Sequence, residues 1–179
     1  IGPSEFYFIG SIDAAVTRNM YPSLSKYEDP AKLAANDQGG RPFVVSKFSE
    51  IYLLAAEAAL QSGHAADAVT YINVLKLRAA ARPELSSTEI QARYDKIKVK
   101  SAAEINLDYI LDERTRELCG ETSRWPDLAV RGVLVDRVKK YNPDGAPRIQ
   151  AYHMLRPIPK GQLDAVADDD KAKYQNPGY

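Results

Sequence analysis

The chain of 179 residues (19.8 kDa) sets 24 Lys+Arg against 24 Asp+Glu, so no general attraction to nucleic acid or an anionic membrane surface is built in. One cysteine, Cys119, excludes an internal disulfide framework, and with only His64 and His153 beside it the composition argues against a Cys/His zinc site. The longest apolar run, Ile51 to Leu60, is broken by Glu57 and is too short to span a bilayer.

No basic, apolar leader opens the chain. It starts at Ile1 rather than Met and is read as a piece of something longer. Its length suffices for one domain that hides roughly 70% of its unfolded surface.

Residues 1–44 hold Pro3, Pro22, Pro30 and Pro42 and the loop signal Asn36-Asp37-Gln38-Gly39-Gly40. They are read as an irregular, loop-rich segment continuing from a missing N-terminal part, with Phe43-Val44-Val45 as a short extended lead-in to a helical region over 45–179. No proline falls between Pro42 and Pro83 or between Pro83 and Pro126, and no glycine between Gly63 and Gly120. Stretches free of both residues are where helices can run.

The run from Lys47 to Ser62 predicts a helix with Phe48, Ile51, Tyr52, Ala55, Ala58 and Ala59 on its inner face. Gly63 ends it. A second helix over Ala65 to Ala80 turns Ala68, Tyr71, Ile72 and Leu75 inward. The short Gly63-His64 connection makes the two antiparallel, and Ala55, Ala58 and Ala59 facing Ala65 and Ala68 allow close approach. A short helix follows at Ser87 to Lys96. A longer one, Ser101 to Cys119, opens on the capping box Ser101-Ala102-Ala103-Glu104. Trp125 to Val130, with Pro126 in its first turn, and Leu134 to Tyr141 are short helices. The tail from Asn142, with five of the eleven prolines, is expected to be mostly extended.

The fold class is therefore all-α. The first hairpin matches a tetratricopeptide pattern in part: Tyr52 at the aromatic position, Gly63 at the turn, Ala68 at the small interior position and Ile72 at the large apolar one. Ala56 and Ala59 depart from it.

Polar chemistry concentrates in Asp112-Glu113-Arg114-Thr115-Arg116-Glu117-Leu118 and continues through Glu121, Arg124, Trp125 and Asp127. Glu113 and Glu117 stand one helical turn apart, as a carboxylate pair would. A glycosidase also needs partners from a second element and a reason for one acid to stay protonated, and the sequence supplies neither. Arg114 shares the apolar stripe of Leu107, Ile110, Leu111 and Leu118. A cation there must pair with acids or bear a large desolvation penalty, so it is expected in a structural ion pair, with Glu57 as partner.

His64 and His153 read as turn and surface residues. Asp168-Asp169-Asp170 lacks the alternating ligands and glycine of a calcium loop and reads as a solvated acidic turn. Cys119 reads as a buried or half-buried helix-end thiol. Nucleotide and serine-hydrolase fingerprints are absent from the sequence. Tyrosine makes up eleven of the sixteen aromatics, a residue suited to stacking on sugars but used more often in packing. Phe6, Tyr7, Phe8, Tyr21 and Tyr27 crowd the N-terminal part, and Trp125 reads as a core anchor.

Four segments in order resemble the SusD/RagB family of outer-membrane nutrient-binding lipoproteins of Bacteroidetes. They are Lys47-Phe48-Ser49-Glu50-Ile51-Tyr52-Leu53-Leu54-Ala55-Ala56-Glu57-Ala58, Ile72-Asn73-Val74-Leu75-Lys76-Leu77-Arg78-Ala79, the set Glu113-Arg114, Glu117-Leu118, Glu121, Arg124-Trp125 and Asp127-Leu128, and the closing Pro157-Ile158-Pro159 with Gln175-Asn176-Pro177-Gly178-Tyr179. The resemblance covers about residues 41–179. Lys47 and Lys76 replace arginines, Pro126 an aromatic and Gln162 a glutamate.

The resemblance implies a tetratricopeptide-like helical C-terminal portion of a surface lipoprotein. Its lipid anchor lies outside this chain, because Cys119 sits within the predicted helical region. It implies no enzyme activity, no catalytic residue, no cofactor and no metal. The expected partners are a SusC-type TonB-dependent transporter and an oligosaccharide or polysaccharide, with no nucleic acid. Ligand-binding residues stay unassigned. The competing readings are a tetratricopeptide-like module binding a peptide or partner protein, and a glycoside hydrolase using Glu113, Glu117 and Glu121.

Overall fold

Gly63, at a φ of +80°, ends one helix and lets the next begin two residues later. The computed structural model describes residues 24–34, 38–42, 44–121 and 124–179, with the backbone alone at Ser25. Expectations resting on Phe6, Tyr7, Phe8, Tyr21, Asn36, Asp37 and Phe43 lie outside these residues. The chain divides after Lys47 into two units.

In the first unit a 3-10 turn at Ser25–Tyr27 leads to Asp29. The Asp29 carboxylate accepts the amide of Ala31 at 3.1 Å and that of Gly40 at 2.8 Å. Those amides hold its pKa below the ordinary aspartate value. Leu24, Tyr27 and Leu33 stay exposed beside a shallow depression.

The second unit is helical, and the described residues contain no strand. The helices are α1 (Phe48–Gln61), α2 (Ala65–Ala80), α3 (Ser87–Ile97), α4 (Leu107–Glu117), α5 (Arg124–Val130), α6 (Leu134–Tyr141) and α7 (Lys160–Asp164). α1 and α2 form the antiparallel hairpin. α1 also packs on α4, α2 on α3, and α5 on α6. α3 opens on a reciprocal cap, with the Ser86 amide donating to Glu89 Oε2 at 2.9 Å and the Glu89 amide to Ser86 Oγ at 3.3 Å. After α3 the chain is extended, and Val99 is pinned by Asn73. The Val99 amide donates to Asn73 Oδ1 at 2.8 Å, and Asn73 Nδ2 donates to the Val99 carbonyl at 2.9 Å.

Two apolar clusters flank α4. The larger holds Leu53, Ala56, Ala68, Ile72, Leu75, Val99, Ile105, Ile110 and Leu118. The smaller holds Leu111, Leu128 and Leu134, with Trp125 and Met154 packed against it. Each fully buried Leu or Ile here contributes about 1.5–3 kcal/mol.

The structure corrects four expectations. The helix read from Ser101 to Cys119 is two elements. The Ser101/Glu104 box caps a 3-10 turn, Ala102–Glu104, and the chain then runs extended through Ile105, which plugs the larger cluster. Asn106 caps α4 by accepting the Tyr109 amide at 2.8 Å. The carboxamide offers the helix a second start, and it wins because Ile105 gains burial there.

The buried face of α1 is a second difference. Its buried residues are Ser49, Leu53, Ala56 and Glu57, whereas Phe48, Ile51 and Ala58 are exposed. α1 is apolar on almost every side, and its acids draw it toward the cations of neighbouring helices. Ala56 and Ala68, both fully buried, make the close approach to α2 instead of Ala55 and Ala58.

Cys119, third, is exposed, because α4 ends at Glu117 and Leu118 closes over the core. The tail, last, is less extended than expected. It folds into 3-10 turns at Ala151–Met154 and Lys171–Tyr174 and the short α7.

Candidate functional site

α4 places Glu113 and Arg114 among apolar side chains, so the partners of these charges decide what the site is. Arg114, 1% exposed, lies on the helix face between Ile110 and Leu111, where the two apolar clusters meet. Its Nε donates to Asp127 Oδ2 at 3.0 Å, and its Nη2 reaches both oxygens of Asp127 at 2.8 Å and Glu50 Oε1 at 3.3 Å. Fork-on-carboxylate pairing of this kind gives a buried guanidinium geometry as well as charge.

Glu57 is buried, and its partner is Arg131. Arg131 Nε donates to Oε1 at 2.6 Å, and Arg131 Nη2 donates to Oε2. The expected Arg114–Glu57 pair is therefore corrected: Glu50, nearly two turns earlier on α1, serves Arg114, and Glu57 serves Arg131. The hydrogen bonds that Arg131 donates to Glu57 raise its pKa above the ordinary arginine value. Arg131 also donates to the Asp127 carbonyl at 2.7 Å, so Asp127 links α4 to the end of α5 through two cations that each also reach an acid of α1.

On the other side of α4, Lys76 Nζ meets Glu113 Oε2 at 2.6 Å while lying over the Tyr109 ring at 5.7 Å. Arg116 donates to the same Glu113 oxygen at 2.9 and 2.6 Å. Arg78 binds Glu117. Arg137 of α6 donates to Asp108 at 2.8 Å and to Asp112. Arg124 donates to the Leu111 carbonyl at 3.1 Å. Burial lowers its pKa first, and the repulsion of Arg137 adds to that.

Chemically, this arrangement fastens helices together. Glu113 and Glu117, one turn apart, are each tied to cations. The structure thus brings together Glu50, Glu57, Lys76, Glu113, Arg114 and Asp127. Sequence reasoning missed Arg131 and Arg137. The Asp127-x-x-x-Arg131 spacing was the available signal for the first.

The remaining singled-out residues take structural positions. His64 sits exposed at the hairpin turn. His153 accepts the Gln150 amide at 2.8 Å and stacks on Tyr152 with ring centroids 4.2 Å apart. Asp168 accepts the amide of Asp170 at 2.9 Å and the Tyr174 hydroxyl at 3.1 Å and pairs with Lys173.

The closing residues form a clamp. Gln175 Oε1 accepts the Ile158 amide at 2.8 Å, and Nε2 donates to the Ile158 carbonyl at 3.1 Å. Asn176 Nδ2 donates to the Arg156 carbonyl at 2.7 Å, and the Tyr179 hydroxyl to that of Leu155 at 2.9 Å. Gly178 takes φ +98° against the Tyr152 ring, where a Cβ would fall 2.4 Å from Cγ. No helix among the described residues is long and apolar enough to cross a membrane.

The model of the SusD family matches residues 13–131. A curated relative, a SusD-like protein of Formosa agariphila, is 32% identical over 142 residues. The aligned part is 76% of this chain but 24% of that relative, so the chain spans about a quarter of the relative's length. No solved structure matches the chain.

Proposed function

The chain belongs to the SusD family, and from that membership we propose that it is the C-terminal helical portion of a non-catalytic protein that binds a glycan or other nutrient at the cell surface. The protein hands its ligand to a SusC-type TonB-dependent transporter and is held at the outer membrane by a lipid anchor outside these residues. The observation that carries the reading is the family match over residues 13–131. The ion-pair network supports the non-catalytic part, because Glu113 and Glu117 are engaged in pairing with Lys76, Arg116 and Arg78.

Binding would rest on aromatic stacking and hydroxyl hydrogen bonds, with transfer to the transporter in place of bond cleavage. The test is to purify the native protein from its own cells, measure its intact mass and N-terminal chemistry, and titrate it against a panel of polysaccharides. The expected result is a longer, diacylated chain that binds at least one glycan, releases no reducing sugar, and co-purifies with an outer-membrane transporter. An unlipidated chain that binds no glycan and is saturated by a peptide would move the interaction-module reading to the front. Release of reducing ends would revive a hydrolase built on Glu113, Glu117 and Glu121.

A further inference from the structure

Asp144-Gly145 is the single Asp-Gly pair of the sequence, and no Asn-Gly pair occurs in it. Such a pair is prone to a covalent rearrangement, because glycine puts no side chain in the way when its amide turns back on the preceding carboxyl. The Gly145 nitrogen, once it has lost its proton, attacks Cγ of the protonated Asp144 carboxyl. The N–Cγ bond forms, a C–O bond breaks and water leaves, which closes a succinimide ring. Water then opens that ring at one of two carbonyls. Opening at Cγ restores aspartate. Opening at the main-chain carbonyl leaves the backbone running through Cγ, as isoaspartate. The water lost is regained, and no oxidant or other reactant is consumed.

We propose that Asp144 is a site of isoaspartate formation and that Asn142 sets its rate by holding the attacking nitrogen. The Gly145 amide donates to Asn142 Oδ1 at 2.9 Å and to the Asn142 carbonyl at 3.1 Å. Both acceptors keep the proton on the nitrogen, so attack waits on their release. The Asp144 carboxyl is exposed, and no described residue bonds it, so the restraint lies on the nucleophile. Packing also requires the glycine: a Cβ at 145 would fall 3.1 Å from Asn142 Cγ and 3.1 Å from Val138 Cγ1 of α6. Asn142 thus helps to fix the residue that makes the link reactive and restrains that same residue. The position gives the reaction a structural consequence. The Gly145 carbonyl accepts the amides of Arg148 and Ile149, each at 3.0 Å, and Ile149 is buried. Isoaspartate inserts a methylene into the main chain at this turn, where α6 gives way to the tail, and shifts the register of those bonds.

The test uses the polypeptide expressed from its complete reading frame and aged at mildly acidic pH, with a synthetic peptide of residues 138–150 as the unrestrained reference. Isoaspartate is counted by enzymatic methylation of isoaspartyl carboxyls and placed in the sequence by electron-transfer fragmentation. Expected is isoaspartate at 144 in the protein, forming about tenfold or more slower than in the peptide, since the turn must open first. Asn142→Ala removes one of the two acceptors and should raise the rate about fivefold. Asn142→Asp keeps an oxygen there and should stay near the parent rate. Should the alanine variant fail to fold, hydrogen exchange at the Gly145 amide of the unsubstituted protein supplies a second readout, with protection expected. A protein that isomerises as fast as the peptide would overturn the proposal. So would an unchanged rate in folded Asn142→Ala, a freely exchanging Gly145 amide, or aged protein in which residue 144 carries no isoaspartate.

Discussion

Between Phe48 and Tyr141 the helices are joined across their interfaces by charge, whereas the closing residues Gln175–Tyr179 are joined to residues 155–158 by neutral amides and one phenol. In the helical part, five carboxylates meet Arg114, Arg131 and Arg137. In the tail, Gln175, Asn176 and Tyr179 reach main-chain groups of residues 155–158. A buried ion pair is a weak source of net stability but punishes the loss of one partner, since the other is left charged out of water. A side-chain amide bonded to a backbone stretch adds about 0.5–1.5 kcal/mol per bond, and its loss is felt locally. Asn73 brings the tail's kind of fastening into the helical part, since its carboxamide holds both main-chain groups of Val99 as Gln175 holds those of Ile158.

The contrast breaks most readily at Arg114. Arg114→Ala should cost about 3–5 kcal/mol of global stability by stranding Asp127 and Glu50, read from the urea midpoint. An unchanged midpoint would remove the network from any account of the fold. Next in size is the Glu57–Arg131 pair. A double-mutant cycle with Glu57→Gln and Arg131→Gln should give a coupling of about 1–3 kcal/mol, and a coupling near zero would mean that each residue is held by its other neighbours.

Gly178→Ala brings a methyl into the Tyr152 ring at a positive φ, and should cost about 1–3 kcal/mol in the tail. Gln175→Ala should raise hydrogen exchange at the Ile158 amide, a local loss of about 1–2 kcal/mol, with the midpoint of the helical part unmoved. A matching global shift would show that tail and helices unfold as one.

The smallest effect is that of acid on Asp168. The bond from Lys173, then the Asp170 amide and Tyr174, lowers its pKa in the folded state. Its contribution is therefore complete above the ordinary aspartate value of about 3.9 and is lost as pH falls through the lower folded value. An NMR titration of Asp168 that follows the unfolded reference would contradict that.

Much of this architecture could be read from residues alone, and the failures are specific. Proline and glycine spacing located the hairpin, and Pro126 located α5, because these signals act within one turn. Arg114 on an apolar stripe announced a buried ion pair, but its partner could not be chosen. Glu50 and Glu57 lie seven residues apart on one helix, and only the position of α5 assigns them to Arg114 and Arg131. The inner face of α1 was misjudged for a related reason: hydrophobic periodicity ranks faces by apolarity, and here the acids follow cations supplied from 64 and 74 residues further along. The break at Ile105-Asn106 was hidden behind a valid capping box that opens four residues before Ile105, at Ser101.

The same separation has a temporal meaning. A ribosome adding about 5–20 residues per second leaves Glu57 without Arg131, 74 residues downstream, for roughly 4–15 s. The α1–α2 hairpin, closed by a three-residue connection, has ample time to form meanwhile. During that wait Glu50 and Glu57 are hydrated anions on a mostly apolar helix, still without the cations that pair with them in the folded chain. The fasteners of the finished molecule are thus the last of its joints to close.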